Sequence, residues 1–136
     1  MLEQTTDLAT RPRRVALVDD DQSILKALAR LLRSAGYAVE TFGSAQEFLD
    51  STTASSAQCL VLDVQMPGMG GFELQSRLDN LGRQVPVVFI TAHDTPLTRA
   101  SACRSGTVGL LFKPFFDTAL LQLLDQTVGA WNSQPA

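Results

Sequence analysis

The chain has 136 residues, a usual length for one domain that buries a core without metal or disulfide support. Hydrophobic residues make up 45%, charged residues 18%, and the formal net charge is -3, which excludes a disordered tail and a general nucleic-acid binder. Cys59 and Cys103 show no paired spacing, so both are expected to be reduced and buried. No apolar run is long enough to span a membrane, and the start of the chain lacks the apolar centre of a signal peptide, so the cytoplasm is the expected location.

Short β-branched runs alternate with longer segments of helical period five times between Arg14 and Trp131. Because parallel strands are joined by crossover helices, this alternation predicts one α/β domain whose parallel sheet carries helices on both faces. The predicted domain covers residues 14–131, with loose segments at 1–13 and 132–136.

The predicted elements follow the first strand in chain order. In the first half, a helix over 23–35 is predicted from the apolar stripe of Ile24, Leu28, Leu31 and Ala35, and a strand follows over 37–42. A short helix then begins with a capping box of Ser44 and Glu47. A polar loop over 51–57 leads to a strand that ends at Asp63. The second half contains a helix on Phe72, Leu74, Leu78 and Leu81 ended by Gly82, a strand over 85–90, a helix capped by Thr95 and ended by Gly106, a strand ending at Lys113, and a helix capped by Asp117.

Four predicted strands end in polar residues, and these are Asp19 to Asp21, Asp63, Thr91 and Lys113. The carboxyl ends of parallel strands open on one edge of the sheet, so these side chains are expected to share a rim, apart from Asp21, which is expected at a helix N-terminus. Two ionised carboxylates about 4 Å apart repel by roughly 4 kcal/mol at an effective dielectric near 20. A cation is the expected remedy. Oxygen ligands favour Mg²⁺ or Mn²⁺, with Asp20 and Asp63 as direct ligands and Asp19 through water.

Asp63 is the candidate phosphoryl acceptor at this rim. A carboxylate that attacks an anionic phosphate needs the charge on the phosphate oxygens to be neutralised. Lys113 can supply a point charge and Thr91 a hydroxyl donor, and backbone amides of residues 63–66 can add further donors. The set is therefore chemically complete for phosphoryl transfer.

Four motifs resemble those of one known family. They are Val18-Asp19-Asp20-Asp21, the stretch from Leu62-Asp63-Val64-Gln65-Met66-Pro67-Gly68 to Phe72-Glu73-Leu74, Phe89-Ile90-Thr91-Ala92-His93, and Phe112-Lys113-Pro114-Phe115. In this order, each after a strand, they are similar to the receiver domain of bacterial two-component response regulators, and their wording is most similar to the FixJ type. The resemblance covers about residues 14–128, nearly the whole chain.

This resemblance implies a flavodoxin-like three-layer fold with strand order 2-1-3-4-5 and five helices. It also implies phosphorylation of Asp63 by the phosphohistidine of a sensor histidine kinase, and Mg²⁺ held by Asp20, Asp63 and the main-chain carbonyl of Gln65. A cis peptide between Lys113 and Pro114 is implied as well. The Gln65 and His93 side chains are expected to tune the lifetime of the phosphorylated state.

One position departs from the family pattern. Receivers usually carry Tyr or Phe three residues before the lysine, and here that position is Leu110. Leucine has no ring to turn inward, so either the switch works through Thr91 and the fourth helix alone or it is weakened. The surplus of apolar residues on the fifth helix, which includes Trp131, indicates either a dimer or output-domain contact on the face of helix 4, strand 5 and helix 5, or a helix end covered by the tail.

Three classes of function stay open. The first is a phosphoacceptor switch that catalyses only its own phosphorylation and dephosphorylation, with transcription as a possible output through a domain absent from this chain. The second is a phosphohydrolase of the haloacid-dehalogenase type, which expects an acid where Gln65 stands. The third is a degenerate receiver that acts as an interaction module independent of phosphorylation, which Leu110 favours and the intact acids disfavour. Nucleotide or flavin binding is disfavoured, because three carboxylates follow the first strand. No direct contact with nucleic acid or membrane is expected.

Overall fold

Strands and helices alternate throughout the computed structural model of the protein, which describes residues 13–51 and 56–128. Within these residues the elements are β1 (Arg13–Val18), α1 (Gln22–Ser34), β2 (Tyr37–Phe42), α2 (Ala45–Asp50), β3 (Cys59–Asp63), α3 (Gly71–Asn80), β4 (Val87–Thr91), α4 (Pro96–Ala102), β5 (Thr107–Phe112) and α5 (Asp117–Thr127).

The sheet is parallel and has the order β2-β1-β3-β4-β5, which confirms the predicted flavodoxin-like fold. One apolar cluster packs α1 and α5 on one face, and a second packs α2 and α3 and the end of α4 on the other. Because both faces are covered, the central strands are apolar without alternation, and every residue of β3 and β4 is buried. Strand order reverses between β1 and β3, which places their carboxyl ends beside a crevice.

Helix α1 begins where the sequence indicates, but its apolar stripe is rotated from the predicted one. The Asp21 carboxylate accepts the N–H groups of Ser23 and Ile24, so Asp21 caps the helix as expected. The buried residues are Leu25, Leu28, Ala29 and Leu32. The predicted stripe faces the core in part, because Leu28 is buried and Ile24, Leu31 and Ala35 are partly buried against the same cluster.

The start of α2 and the end of α3 differ in detail from their predictions. Ser44 accepts the Glu47 N–H at 3.1 Å as predicted, but the Glu47 carboxylate accepts from the N–H of Gly43 instead of Ser44. Helix α3 ends before Gly82, which has a φ of +72°. Leu81 was predicted to belong to this helix, but it is the residue that follows its last turn and is 62% exposed.

Helix α4 is shorter than predicted. Thr95 caps it, with its hydroxyl oxygen accepting the Thr98 N–H at 3.0 Å, but the helix ends at Ala102 and not at Gly106. Cys103 follows directly and is exposed, so the prediction that both cysteines are buried was wrong for Cys103 and right for Cys59.

Helix α5 begins at Asp117, but Asp117 does not cap it, because Phe116 occupies the cap position and makes no side-chain cap bond. Leu120, Leu124 and Val128 are buried, and other apolar residues of the helix pack against the same cluster. Most of the predicted apolar surplus is therefore core. Trp131 lies outside the described residues.

The predicted loose ends and most of the 51–57 loop also lie outside the described residues and stay predictions, although β1 begins at Arg13, one residue before the predicted domain boundary. Within 13–51 and 56–128, no helix is long and apolar enough to cross a membrane.

Candidate functional site

The strand ends bring the predicted acids together. Asp63 is the last residue of β3, and Asp19 follows β1 with its N–H donated to Phe42 O at 3.1 Å across the sheet edge. One oxygen of each of Asp19, Asp20 and Asp63 lies within 4.8 Å of the others. Asp19 and Asp63 are buried, whereas Asp20 is exposed. The structure thus forms the acidic cluster that the strand order predicted.

Lys113 enters this cluster from β5. Its Nζ lies 3.1 Å from Asp19 Oδ2 and 3.6 Å from Asp63 Oδ1. The Lys113 N–H donates to Thr91 O at 2.7 Å, and the peptide bond between Lys113 and Pro114 is cis, as the resemblance implied. The ammonium group therefore faces two carboxylates at once, while the backbone of Lys113 is attached to the end of β4.

The environment of Asp63 penalises its charged form. Burial raises its pKa first, and the Asp19 and Asp20 carboxylates raise it further, while Lys113 and the Gln65 N–H lower it, with a net rise from the usual 3.8 to about 6. Repulsion between close carboxylates is the condition that a divalent cation relieves. The electrostatics therefore favour a cation beside Asp63.

Three further predicted residues border the cluster. Thr91 is fully buried at the end of β4, and its Oγ1 accepts the N–H of His93 at 3.1 Å. The His93 side chain is exposed. The N–H of Gln65 donates to Asp63 Oδ1 at 3.4 Å, and its side chain is also exposed. Both long side chains are thus within reach of the solvent around the rim.

Leu110 lies away from this rim. It is half-buried in β5 and packs against the cluster on the α2–α3 side of the sheet. The position that carries a ring in other receivers is here a partly buried leucine at the edge of the core.

Gly70 and Gly71 support the site in a way that the sequence reading missed. A Cβ on Gly71 would stand 2.6 Å from Asp63 O, and one on Gly70 would stand 2.8 Å from Val64 O. The Gly71 N–H donates to Val64 O at 3.0 Å. Because backbone meets backbone here, both positions require glycine, and a pair of glycines opening a helix was the available signal.

The donor set fits a hard divalent cation. Three carboxylates converge without a thiol or imidazole ligand, which is the chemistry that Mg²⁺ or Mn²⁺ prefers. A lysine ammonium contacts the same acids, and Thr91 ends the strand that pairs with β3, so the rim can also neutralise a phosphoryl group.

A doubly wound parallel sheet with these groups at its carboxyl edge defines a signalling receiver module. The model of the response regulator receiver domain matches residues 15–125, so the chain belongs to this family. Its members are generally not enzymes, and phosphorylation and Mg²⁺ dependence are traits of the family.

Named proteins support this assignment. The chain is 41% identical over 115 residues to the response regulator protein TodT of Pseudomonas putida, covering 84% of this chain and 50% of TodT. It is 38% identical over 116 residues to the transcriptional regulatory protein FixJ of Azorhizobium caulinodans, covering 85% of this chain and 54% of FixJ. The crystal structure of FixJ-N superposes with a TM-score of 0.76 at 32% identity, covering 93% of this chain and 98% of that one. The predicted likeness to FixJ is confirmed, and the chain spans about half the length of the curated relatives it matches.

Proposed function

We propose that this receiver accepts a phosphoryl group on Asp63 from the phosphohistidine of a sensor histidine kinase, in the cytoplasm and with Mg²⁺ as cofactor. The observation that carries the proposal is the convergence of Asp19, Asp20 and Asp63, with Lys113 Nζ 3.6 Å from Asp63. An aspartate that only ended a strand would not require two further carboxylates and a lysine ammonium beside it.

In the proposed transfer, the phosphoryl group moves from the phosphohistidine of the kinase to the carboxylate of Asp63. A carboxylate oxygen of Asp63 forms a bond to phosphorus while the bond between phosphorus and the donor imidazole nitrogen breaks, and the electron pair stays with the imidazole. Lys113 and the Thr91 hydroxyl stabilise the charge on the transferring group. Hydrolysis later returns the carboxylate when water attacks the phosphorus and inorganic phosphate leaves.

Asp20, Asp63, the main-chain carbonyl of Gln65 and, through water, Asp19 are the proposed holders of Mg²⁺. When bound, the ion neutralises negative charge on the acceptor and on the phosphoryl oxygens. The raised pKa of Asp63 supports this assignment, because burial first and the Asp19 and Asp20 carboxylates next oppose its ionisation, and a cation offsets both effects.

The side chains of Gln65 and His93 are proposed to set the lifetime of the acyl phosphate. Both are exposed and follow strand ends that carry site residues, so they can control the access of water to the phosphorus. Exchanging each for alanine should change the first-order rate of phosphate loss while leaving the yield of adduct unaltered. An unchanged decay rate in both variants would remove them from this role.

The output of the switch is proposed to pass through the face formed by α4, β5 and α5, either to a second copy or to an output domain that regulates transcription. Strand β5 is the edge of the sheet, and all six of its residues are half-buried. A groove of about 480 Å³ lies between α4 and β5 and is lined by Arg99, Ala102, Cys103 and Leu110, among others. The lining combines apolar residues with the arginines Arg99 and Arg104, a composition that is common in protein interfaces.

Intact mass after incubation with acetyl phosphate and Mg²⁺ tests the acceptor. The parent chain should gain one phosphoryl group, and Asp63→Asn should gain none. Asp50→Asn is the matched control, since Asp50 is an exposed aspartate at the end of α2, and it should behave as the parent. The absence of an adduct with either Mg²⁺ or Mn²⁺ would instead favour a phosphorylation-independent interaction module, the second candidate, which the aliphatic side chain of Leu110 in place of a ring supports.

A further inference from the structure

Asp94, Arg99 and Phe112 form a chain of contacts between the β4–α4 loop and β5. The Asp94 carboxylate accepts Arg99 Nε at 2.7 Å and Nη2 at 2.8 Å, one N–H to each oxygen. The Arg99 guanidinium lies 4.7 Å from the centroid of the Phe112 ring. The fork therefore fixes the plane of the guanidinium while its cation contacts the ring.

Both ends of this contact chain are attached to Thr91. His93, directly before Asp94, donates its N–H to Thr91 Oγ1 at 3.1 Å. Phe112 pairs with Thr91 in the β4–β5 register and precedes Lys113, whose N–H donates to Thr91 O. Arg99 thus bridges two segments that meet at one buried hydroxyl residue of the candidate site.

Arg99 also belongs to a helix with few other attachments. Helix α4 has seven residues, of which only Thr98 and Ala102 are buried, and Leu97 is 76% exposed. A short helix with little buried apolar surface belongs to the low-stability part of a fold. A change at Arg99 can therefore alter the position of the whole helix.

The aromatic ring of β5 that contacts α4 belongs to Phe112, the last residue of the strand. Leu110 lies two residues earlier on the same face of the strand and packs into the core. Helix α4 therefore contacts an aromatic ring at position 112 instead of position 110, and the contact is made by the guanidinium of Arg99.

We propose that Asp94, Arg99 and Phe112 act as a relay that transmits the occupied state of the site to α4 and to the groove between α4 and β5. The relay rests on the proposed acceptance of a phosphoryl group by Asp63. A phosphoryl oxygen that draws the Thr91 hydroxyl toward Asp63 loosens the bond to the His93 N–H and moves Asp94. Arg99 follows its fork partner, its contact with Phe112 changes, and α4 shifts.

The chain contains its own reporter for this shift. Cys103 directly follows α4 and is exposed, whereas Cys59 is buried in β3. The rate at which an aromatic disulfide reagent labels Cys103 therefore reports on the end of α4. The experiment uses the full chain with Mg²⁺, in the presence and absence of beryllofluoride as a phosphoryl mimic.

We expect beryllofluoride to change the labelling rate of the parent, and Arg99→Gln to reduce that change by about two- to fivefold, the ratio that corresponds to a cation–π contact at an exposed site. Asp94→Asn should give a similar loss, since the fork is then broken. Arg99→Lys should fall between them and the parent, because lysine keeps the charge but not the fork. Arg77→Gln is the matched control, since Arg77 forms a comparably exposed ion pair with Glu73 on α3, and it should respond as the parent.

Intact mass after treatment with acetyl phosphate separates the two proposals. If the parent gains no phosphoryl group, the proposed function fails and the relay fails with it. If every variant gains the group and beryllofluoride changes labelling equally in Arg99→Gln and the parent, the relay is wrong while the proposed function stands. A parent that gains the group without any change in labelling also overturns the relay. Far-UV circular dichroism verifies that each variant is folded.

Discussion

Replacing Asp63 by asparagine should stabilise the metal-free protein at neutral pH. Raising the pKa of Asp63 from 3.8 to about 6 corresponds to about 3 kcal/mol of unfavourable ionisation in the folded state, because one pH unit is worth about 1.4 kcal/mol. Water at the rim screens part of this cost, so we expect Asp63→Asn to gain about 1 to 2 kcal/mol at pH 8. The asparagine side-chain oxygen can still accept the Gln65 N–H.

The sign of the pH dependence follows from the direction of the pKa change. Asp63 is protonated more readily in the folded than in the unfolded chain, so its contribution is favourable below about pH 4 and is lost as the pH rises through about 6. The difference between Asp63→Asn and the parent should therefore be small at pH 4 and grow toward pH 8. Subtracting the unfolding free energy of the parent from that of the variant at each pH removes the contribution of the titratable groups that both proteins contain.

Urea denaturation in the presence of a chelator, between pH 4 and pH 8, measures this difference. Asp50→Asn serves as the control and should stay within about 0.5 kcal/mol of the parent, as exposed substitutions usually do. Mg²⁺ should stabilise the parent more than Asp63→Asn, because it removes the repulsion from Asp19. An asparagine variant that is no more stable than the parent at pH 8 without metal would refute the reasoning.

Three other substitutions test separate parts of the structure. Gly71→Ala should lower the free energy of unfolding by about 1 to 3 kcal/mol in urea denaturation, because the new Cβ would stand 2.6 Å from the backbone of Asp63. Gly109→Ala is the control and should lower it less, because its Cβ would meet the flexible side chain of Leu123 at the same distance. Equal losses in the two variants would contradict this explanation. Tyr37→Phe should lose about 1 to 2 kcal/mol, because the tyrosine hydroxyl donates to Asp125, and burial and then Asp125 raise the pKa of Tyr37; a loss below about 0.3 kcal/mol would show that the bond adds little. Leu110→Phe should leave the response of thiol labelling to beryllofluoride unchanged, because the ring that contacts α4 already comes from β5; a stronger response would return the switch to position 110.

The main features of the site followed from sequence because one topological rule governs them. Parallel strands place their carboxyl ends on one edge, so Asp19, Asp63 and Lys113 had to meet once β1, β3 and β5 were recognised. The caps at Asp21 and Thr95 were equally accessible, since capping is decided within four residues.

What sequence did not predict depends on contacts between distant segments or on where an element ends. Leu81 continues a helical period, but α3 stops before it, and Cys103 is exposed because α4 ends at Ala102. The glycine pair at 70 and 71 is visible in the sequence, but its reason is the 2.6 Å approach of a Gly71 Cβ to Asp63 O, a contact between separate segments. The partnership of Arg99 with Phe112 spans two elements and has no local signature.

The close approach of Gly70 and Gly71 to the end of β3 divides the domain into a stationary and a movable part. The start of helix α3 contacts the backbone of Asp63 and Val64 without an intervening side chain, and the Gly71 N–H donates to Val64 O. On the other side of the acceptor, α4 is held by two buried residues and a solvent-exposed ion pair. We therefore expect a displacement that starts at a phosphorylated Asp63 to reach α4, while α3 keeps its place beside β3.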